Sequence, residues 1–388
     1  MAHPVYLDNA ATTPVDPRVL EAMLPHLGGG RGNPSSLHAP GAAAREAVEE
    51  ARESVAALLG ASPREIFFTG GGTESDNLAV LGLARAASPE KRHVVVSRVE
   101  HAAVREAARR LEVEGFEVTR VGVDADGLVD AAEFAEALRG DTALAAVVWA
   151  NNEVGTVEPV EELAGICAER DVPFHSDAVQ AAGRLQLDVR ETRVSTLALS
   201  AHKLYGPQGV GALYVREGVA VEPILFGGGQ ERGLRSGTEN VAGTVGLGEA
   251  ARLAREEMEG RVRHEAGLRD GILAGVAELA GVRINGHGER RLSNNANLSV
   301  EGVEAESLVL FLDALGYAIG SGSACASGSS GHKASPVLLA MGREEREALS
   351  SVRVTVGKDN TAGEVEGFLE AFSSAVGRLR ELSPLYTN

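Results

Sequence analysis

Ser200-Ala201-His202-Lys203 brings a hydroxyl, an imidazole and a primary amine to the end of an apolar run, 194–199. An amine placed there, beside groups that limit its hydration, suits Schiff-base chemistry with a carbonyl compound, because a lysine pKa drops readily on partial desolvation. The chain holds only four lysines, Lys91, Lys203, Lys333 and Lys358, and Lys203 alone ends an apolar strand pattern. On this local evidence a solvated turn lysine reads equally well.

The other apolar runs break the tie. Run 66–69 leads into Gly70-Gly71-Gly72-Thr73-Glu74-Ser75. Backbone N–H groups there, the start of a helix and the Thr73 hydroxyl suit a phosphate, although a plain helix cap is the competing reading. The loop is neither a Walker loop nor a G-x-G-x-x-G turn. Run 93–97 leads to Glu100-His101, run 144–149 to Asn151-Asn152-Glu153, and run 173–176 to Asp177 and Gln180. In an open parallel sheet, ligands sit beyond the carboxyl ends of the strands. The crests then deliver Gly72, Thr73, His101, Asn152, Asp177, Gln180, Ser200, His202 and Lys203 to one place. That set offers an anion site, a flat ring, a carboxylate, amides and an amine, which are the groups pyridoxal phosphate requires.

The thiols divide sharply. Cys167 falls on the helically spaced apolar stripe Val160, Leu163, Ala164, Ile166, Cys167 and reads as an inert core residue. Cys325 lies in Gly320-Ser321-Gly322-Ser323-Ala324-Cys325-Ala326-Ser327-Gly328, a segment too rich in glycine and serine to pack. A thiol on such a loop is open to oxidation, so its presence there calls for a use. Two cysteines without metal-ligand spacing give neither a disulfide framework nor a metal site.

The elements that must position these residues follow from periodicity. Helical patterns at 17–26, 40–59, 74–87, 102–114, 129–138 and 160–169 alternate with strand-like runs at 66–69, 93–97, 117–123, 144–149 and 173–176. That alternation predicts βαβ units and a mostly parallel sheet buried on both faces. Runs 194–199 and 209–216 have no helix between them and predict an antiparallel pair. A long helix over 241–279 leads to strands at 297–300 and 351–356 and a last helix at 361–382. The glycine-rich loop 28–32 with Asn33-Pro34-Ser35-Ser36 reads as a mobile edge or lid.

Bulk properties narrow the class. A chain of 388 residues suits one large domain plus a smaller one. A net charge of −18, with no Lys/Arg stripe, argues against a nucleic-acid partner. No apolar run approaches a membrane span, and the N-terminal residues lack a basic-then-apolar signal pattern, so a cytoplasmic location is expected.

Taken together, Tyr6-Leu7-Asp8-Asn9-Ala10-Ala11-Thr12-Thr13-Pro14, Gly32-Asn33-Pro34-Ser35-Ser36, Gly72-Thr73-Glu74-Ser75, Glu100-His101, Asn151-Asn152-Glu153, Ser200-Ala201-His202-Lys203, Arg235-Ser236-Gly237-Thr238 and Gly322-Ser323-Ala324-Cys325 resemble the NifS/IscS-type cysteine desulfurases. These belong to the class V aminotransferase family of fold-type-I pyridoxal-phosphate enzymes. The resemblance runs nearly end to end. It implies an α/β fold, with a large domain built on a mostly parallel seven-stranded sheet flanked by helices and a smaller α+β domain. The large domain would span 15–255; the small one would combine 1–14 with 256–388 and carry the catalytic cysteine loop at about 320–335.

Carried onto this chain, the resemblance implies that Lys203 holds the cofactor as a Schiff base and Asp177 pairs with its pyridine nitrogen. His101 would stack on the ring and move protons, Asn152 and Gln180 would lie near the phenolic oxygen, and Gly72, Thr73, Ser200 and His202 would hold the phosphate. Thr238 would reach in from the partner subunit of a homodimer. Arg353, with Asn152, would bind the substrate L-cysteine, a bidentate guanidinium suiting its carboxylate. Cys325 would take the substrate sulfur as a persulfide, releasing alanine, and pass it to an acceptor protein for iron–sulfur cluster assembly or for thio-cofactor or tRNA sulfuration.

Three rivals remain. An aminotransferase on the same fold needs no loop thiol, so Cys325 argues against it. Nothing in the sequence separates a cysteine desulfurase from a selenocysteine lyase. A non-catalytic scaffold has no need for intact Lys203, Asp177, His101 and Cys325. One departure from the family is the longer stretch Ser329-Ser330-Gly331-His332-Lys333-Ala334-Ser335-Pro336, which lacks the usual Glu-Pro pair. Ser383-Pro384-Leu385-Tyr386 resembles the tail that docks the iron–sulfur scaffold in IscS-type members.

Overall fold

The computed structural model describes residues 4–29, 32–321 and 334–382. The chain starts with a short strand, β1 (Val5–Tyr6), and the helices α1 (Pro17–Gly28) and α2 (Ala39–Leu59). A seven-stranded sheet follows, built from β2 (Ile66–Thr69), β3 (His93–Ser97), β4 (Glu117–Val121), β5 (Thr142–Ala146), β6 (Phe174–Asp177), β7 (Thr196–Ser200) and β8 (Gly211–Val215). Its order is β2-β8-β7-β6-β5-β3-β4. Strands β4, β3, β5, β6 and β7 run parallel, while β8 is antiparallel to both β7 and β2. The expected sheet and its expected antiparallel pair are both present.

Helices α3 (Gly72–Ala86), α4 (Ala102–Val113), α5 (Ala131–Ala137), α6 (Val160–Ala168) and α7 (Val241–Ala277) flank the sheet. The period-2 alternation of a strand splits its side chains between two cores. Val94 and Val96 of β3 pack with Leu144 and with Val80 and Val104 of α3 and α4. Val95 points the other way, into a core with Val55, Phe174, Leu197 and Leu199. Cys167 belongs to this second core, and burial pushes its thiol up to about 12, as expected of an inert residue.

A separate antiparallel sheet contains β9 (Val282–Asn285), β10 (Asn295–Val300), β12 (Gly320–Ser321) and β13 (Ser351–Thr355), in the order β12-β13-β10-β9. Leu268, Ile272 and Val276 of α7 pack over it with Leu308 of α8 (Ala305–Ala314) and Phe368 and Phe372 of α11 (Ala362–Leu382). Leu7 enters the same core, and β1 pairs in parallel with β11 (Tyr317–Ala318). The short helices α9 (Pro336–Ala340) and α10 (Glu345–Leu349) complete the described chain.

Some boundaries differ from the periodicity. The run 144–149 is regular strand only to Ala146, because the Glu100 carboxyl takes the Val148 N–H (2.8 Å). Val147 and Trp149 still bond to the β6 carbonyls of His175 and Asp177. The 129–138 helix starts at Ala131, since Asp130 caps it by accepting from Ala132 and Glu133. Strand β9 escaped notice because Arg283 and Ile284 are exposed on an edge, leaving no apolar run to read.

Candidate active site

Each polar crest lies where the sheet topology sends it, beyond the carboxyl ends of the parallel strands. Lys203 closes a 3-10 turn, Ala201–Lys203, directly after β7. Its Nζ donates to the carbonyls of Ala10 (2.6 Å) and Ala11 (2.5 Å). Gln180 Nε2 donates to the same Ala10 carbonyl (3.0 Å), which brings the Asn9–Thr12 turn against the lysine. Asp177 is the last residue of β6, and its Oδ1 accepts the Val179 N–H (2.9 Å). His101 is the N-cap of α4 and accepts the Ala103 N–H on Nδ1 (3.2 Å), so Nε2 carries the proton.

Charge in this cluster is set by burial. Ligand atoms of Asp76, His101 and Asp177 all lie within 4.8 Å of one another. Desolvation pushes both carboxyls up, Asp76 far up because Asp177 and Glu100 repel it as well. Two buried carboxyls this close do not both ionise. Asp177 accepts a backbone N–H and has the Lys203 charge nearby, so it holds the anion. Asp76 is backed by His175 (Nε2 to Oδ1, 3.2 Å), whose imidazole burial pushes down to about 3, so Asp76 keeps its proton. Burial, then the Lys203 charge, lowers His202 to about 4, leaving a neutral ring against the Thr12 hydroxyl (3.1 Å).

The start of α3 presses onto the lysine strand. A Cβ on Gly72 would stand 2.8 Å from Val179 Cγ2 and 3.4 Å from Ser200 Cβ, so only glycine lets the helix approach so closely. Thr73 is exposed in the first turn of that helix, and its neighbour Gly72 approaches buried Ser200. A helix N-terminus, a free hydroxyl and Ser200 form a fitting cradle for a phosphate. Gln180 Oε1 is buried without a partner, as expected where a ligand completes the hydrogen bonding. The residues present therefore fit pyridoxal phosphate.

Arg353 of β13 sits at the other side. It is 3% exposed and donates to Asp8 Oδ1 (2.8 Å) and to the Asn152 carbonyl (2.9 Å). Its buried Nε has no partner, which leaves a donor for an incoming carboxylate. Thr238 is exposed on the segment after Arg235, whose guanidinium pairs with Glu74 in the first turn of α3 (2.8 Å). Cys325 and the stretch 329–333 lie outside the described residues, as does the 383–386 tail.

No site role was expected of Asp76, His175, Asp8 or Glu100, although Asp8 and Glu100 lie in the motifs that carry the family resemblance. Asp76 alone had a signal: it lies one helical turn beyond Gly72, on the face that turns toward the strand ends. Glu100 is buried and pushed up to about 8 by desolvation, opposed by Ser97 and the Val148 N–H. A carboxyl raised on folding is a proton the native state holds and the unfolded chain gives up, so its stabilising contribution fades as pH rises toward 8. The Glu100→Gln variant should therefore lose less thermal stability than the parent between about pH 5 and pH 8, read by the melting temperature across pH.

Residues 5–368 match the family model for class-V aminotransferases. A cysteine desulfurase IscS of Neisseria meningitidis is 49% identical over 386 residues, which is 99% of this chain and 95% of that protein. Among solved structures, a NifS-like protein superposes with a TM-score of 0.91 at 38% identity, covering 97% of this chain and all of that one (100%). SspA in complex with cysteine gives a TM-score of 0.80 at 37% identity over 92% of this chain and 100% of that one. The chain belongs to the class-V aminotransferase family and, within it, to the NifS/IscS-type cysteine desulfurases.

Proposed function

We propose that this chain is a pyridoxal-phosphate-dependent cysteine desulfurase that converts L-cysteine to L-alanine and carries the sulfur on Cys325. The observation that supports it most is the convergence of Lys203, Asp177 and His101 beside the Ser200–Gly72 cradle. The cofactor supplies a sink for the electron pair released at the substrate Cα.

The chain's own residues do the rest. Asp177, anionic and buried, holds the proton of the ring nitrogen. Gly72, Thr73, Ser200 and His202 anchor the phosphate, and Gln180 and Asn152 lie toward the phenolic oxygen. Lys203 Nζ would hold the cofactor and, as a free amine, would take the Cα proton. His101, protonated on Nε2, is placed to deliver a proton as the sulfur leaves. Arg353 orients the substrate carboxylate. The Cys325 thiolate then attacks the substrate sulfur; an S–S bond forms as the C–S bond breaks, its electron pair stays with the carbon, and Cβ takes a proton, leaving a persulfide on Cys325 and alanine in the site.

Arg353→Lys is expected to raise KM for L-cysteine by about 10-fold or more while keeping the visible absorbance of bound cofactor, because a lysine cannot replace the fork. An unchanged KM would remove Arg353 from substrate binding.

The wider assignment is an expectation of the same reading. Residues 15–255 form the cofactor domain, and 1–14 with 256–388 the small domain, in keeping with the two separate cores. Exposed Thr238 serves the partner site of a homodimer, and exposed Phe226 and Leu37 supply apolar surface for that contact. The acceptor is a protein of iron–sulfur assembly or of thio-cofactor or tRNA sulfuration. No described helix is long and apolar enough to cross a membrane, and a cytoplasmic site is proposed.

The test is product stoichiometry. Holoenzyme given L-cysteine and a thiol reductant should yield alanine and sulfide in equal amounts. Amino transfer to an oxo acid without sulfide would replace the reading with an aminotransferase.

A further inference from the structure

Glu153 belongs to the Asn151-Asn152-Glu153 crest, yet none of the roles above uses its carboxyl. That side chain holds the C-terminal side of the span that carries Cys325, and the residue before it is tied to the strand that pairs with the N-terminal side. On the N-terminal side, β12 pairs with β13 and sets Gly320 opposite Arg353. Arg353 Nη1 donates to the Asn152 carbonyl (2.9 Å). The next residue, Glu153, accepts the Ser335 hydroxyl through Oε2, on the C-terminal side of the span. Ser335 in turn caps α9 by accepting the Leu338 N–H (3.2 Å). Gly320, Arg353, Asn152, Glu153 and Ser335 form one connected chain of contacts.

Glu153 is a rigid post. Its N–H donates to Asn151 Oδ1 (2.9 Å), and its carbonyl accepts from Asn295 (3.2 Å) and Asn297 (3.1 Å) of β10. Ser335 is fully buried, and Val337 and Leu338 just beyond it pack on Val99, Val148 and Val154. Burial pushes the Glu153 carboxyl up to about 7, against the Ser335 hydroxyl and the charges of Arg353, Arg105 and His101. A carboxyl held there at such a desolvation cost, with a serine hydroxyl on it, is placed to orient that serine.

We propose that Glu153 is a positioning residue for sulfur transfer, fixing through Ser335 the C-terminal end of the Cys325 span against the strand that carries Arg353. This rests on the reading that Cys325 takes the sulfur. Fixing both ends of a chain segment removes configurations in which its thiol is far from the substrate, and so raises the thiol's effective concentration there.

The test compares holoenzyme variants Glu153→Ala, Glu153→Gln and Ser335→Ala by L-cysteine kinetics and cofactor absorbance. Glu153→Ala and Ser335→Ala should keep the absorbance band and KM within about twofold, while kcat for sulfide falls about 10-fold or more. Glu153→Gln, whose amide oxygen still accepts from Ser335, should recover most of kcat. If Glu153→Ala does not fold, Ser335→Ala carries the same expectation. Parental kcat in the variants that lack the contact overturns the proposal. So does loss of the absorbance band in all three, which would make the contact purely structural. Cys325→Ser is run alongside. If that variant is inactive while Glu153→Ala and Ser335→Ala match the parent, only the Glu153 role fails; if it releases sulfide at the parental rate, the Cys325 reading itself fails.

Discussion

Lys203→Ala should lose the visible absorbance of bound cofactor and at least about 10⁴-fold in sulfide production, the scale on which a lost covalent group is felt. The loss should fall on kcat and not be recovered by excess L-cysteine. Stability is a separate matter, since the Ala10 and Ala11 carbonyls to which Lys203 Nζ donates are groups that water in the opened site can also satisfy. Circular dichroism and the melting temperature should therefore stay close to the parent. A variant that keeps both its colour and its turnover would place the Schiff-base amine elsewhere, and the chain has only three other lysines to offer.

Cys325→Ser should behave in the opposite way. The groups proposed to hold the cofactor lie on or beside β6, β7, α3 and α4, so absorbance and cofactor affinity are expected to match the parent. Sulfide release from L-cysteine should fall roughly 10³-fold under thiol reductant, because a serine hydroxyl is a poor acceptor for sulfur. Cys167 offers no substitute: it is sealed in the core, with its thiol pushed up to about 12. Sulfide release at the parental rate would mean that the substrate sulfur leaves without a protein thiol.

These two variants separate carbon chemistry from sulfur chemistry, and the sequence already hinted at that division. Lys203, Asp177 and His101 were legible because each follows an apolar run, and strand ends in a parallel sheet meet in one crevice. The glycine loop proposed to hold the phosphate stood out by its composition, and the tight approach of Gly72 to Val179 and Ser200 supplies the reason for one of its glycines. The partners behind them were not. Asp76 and His175 lie 99 residues apart and meet only because α3 packs across β6. Glu100 reads as a neighbour of His101, and nothing local reveals that its carboxyl takes the Val148 N–H and interrupts regular strand there. The small antiparallel sheet was half seen, since its edge strand β9 exposes Arg283 and Ile284 and shows no apolar run. Residues whose role depends on being buried against a distant segment leave little trace in local pattern.

The division of labour has one direct readout. After a single turnover of holoenzyme with L-cysteine and no reductant, peptide mass spectrometry should find the added mass of one sulfur atom on the peptide that contains Cys325. The Lys203→Ala protein treated in the same way should show none. Sulfur on Cys167 instead, on neither cysteine, or on Cys325 in the Lys203→Ala protein as well would contradict a mechanism in which Lys203 opens the substrate and Cys325 receives its sulfur.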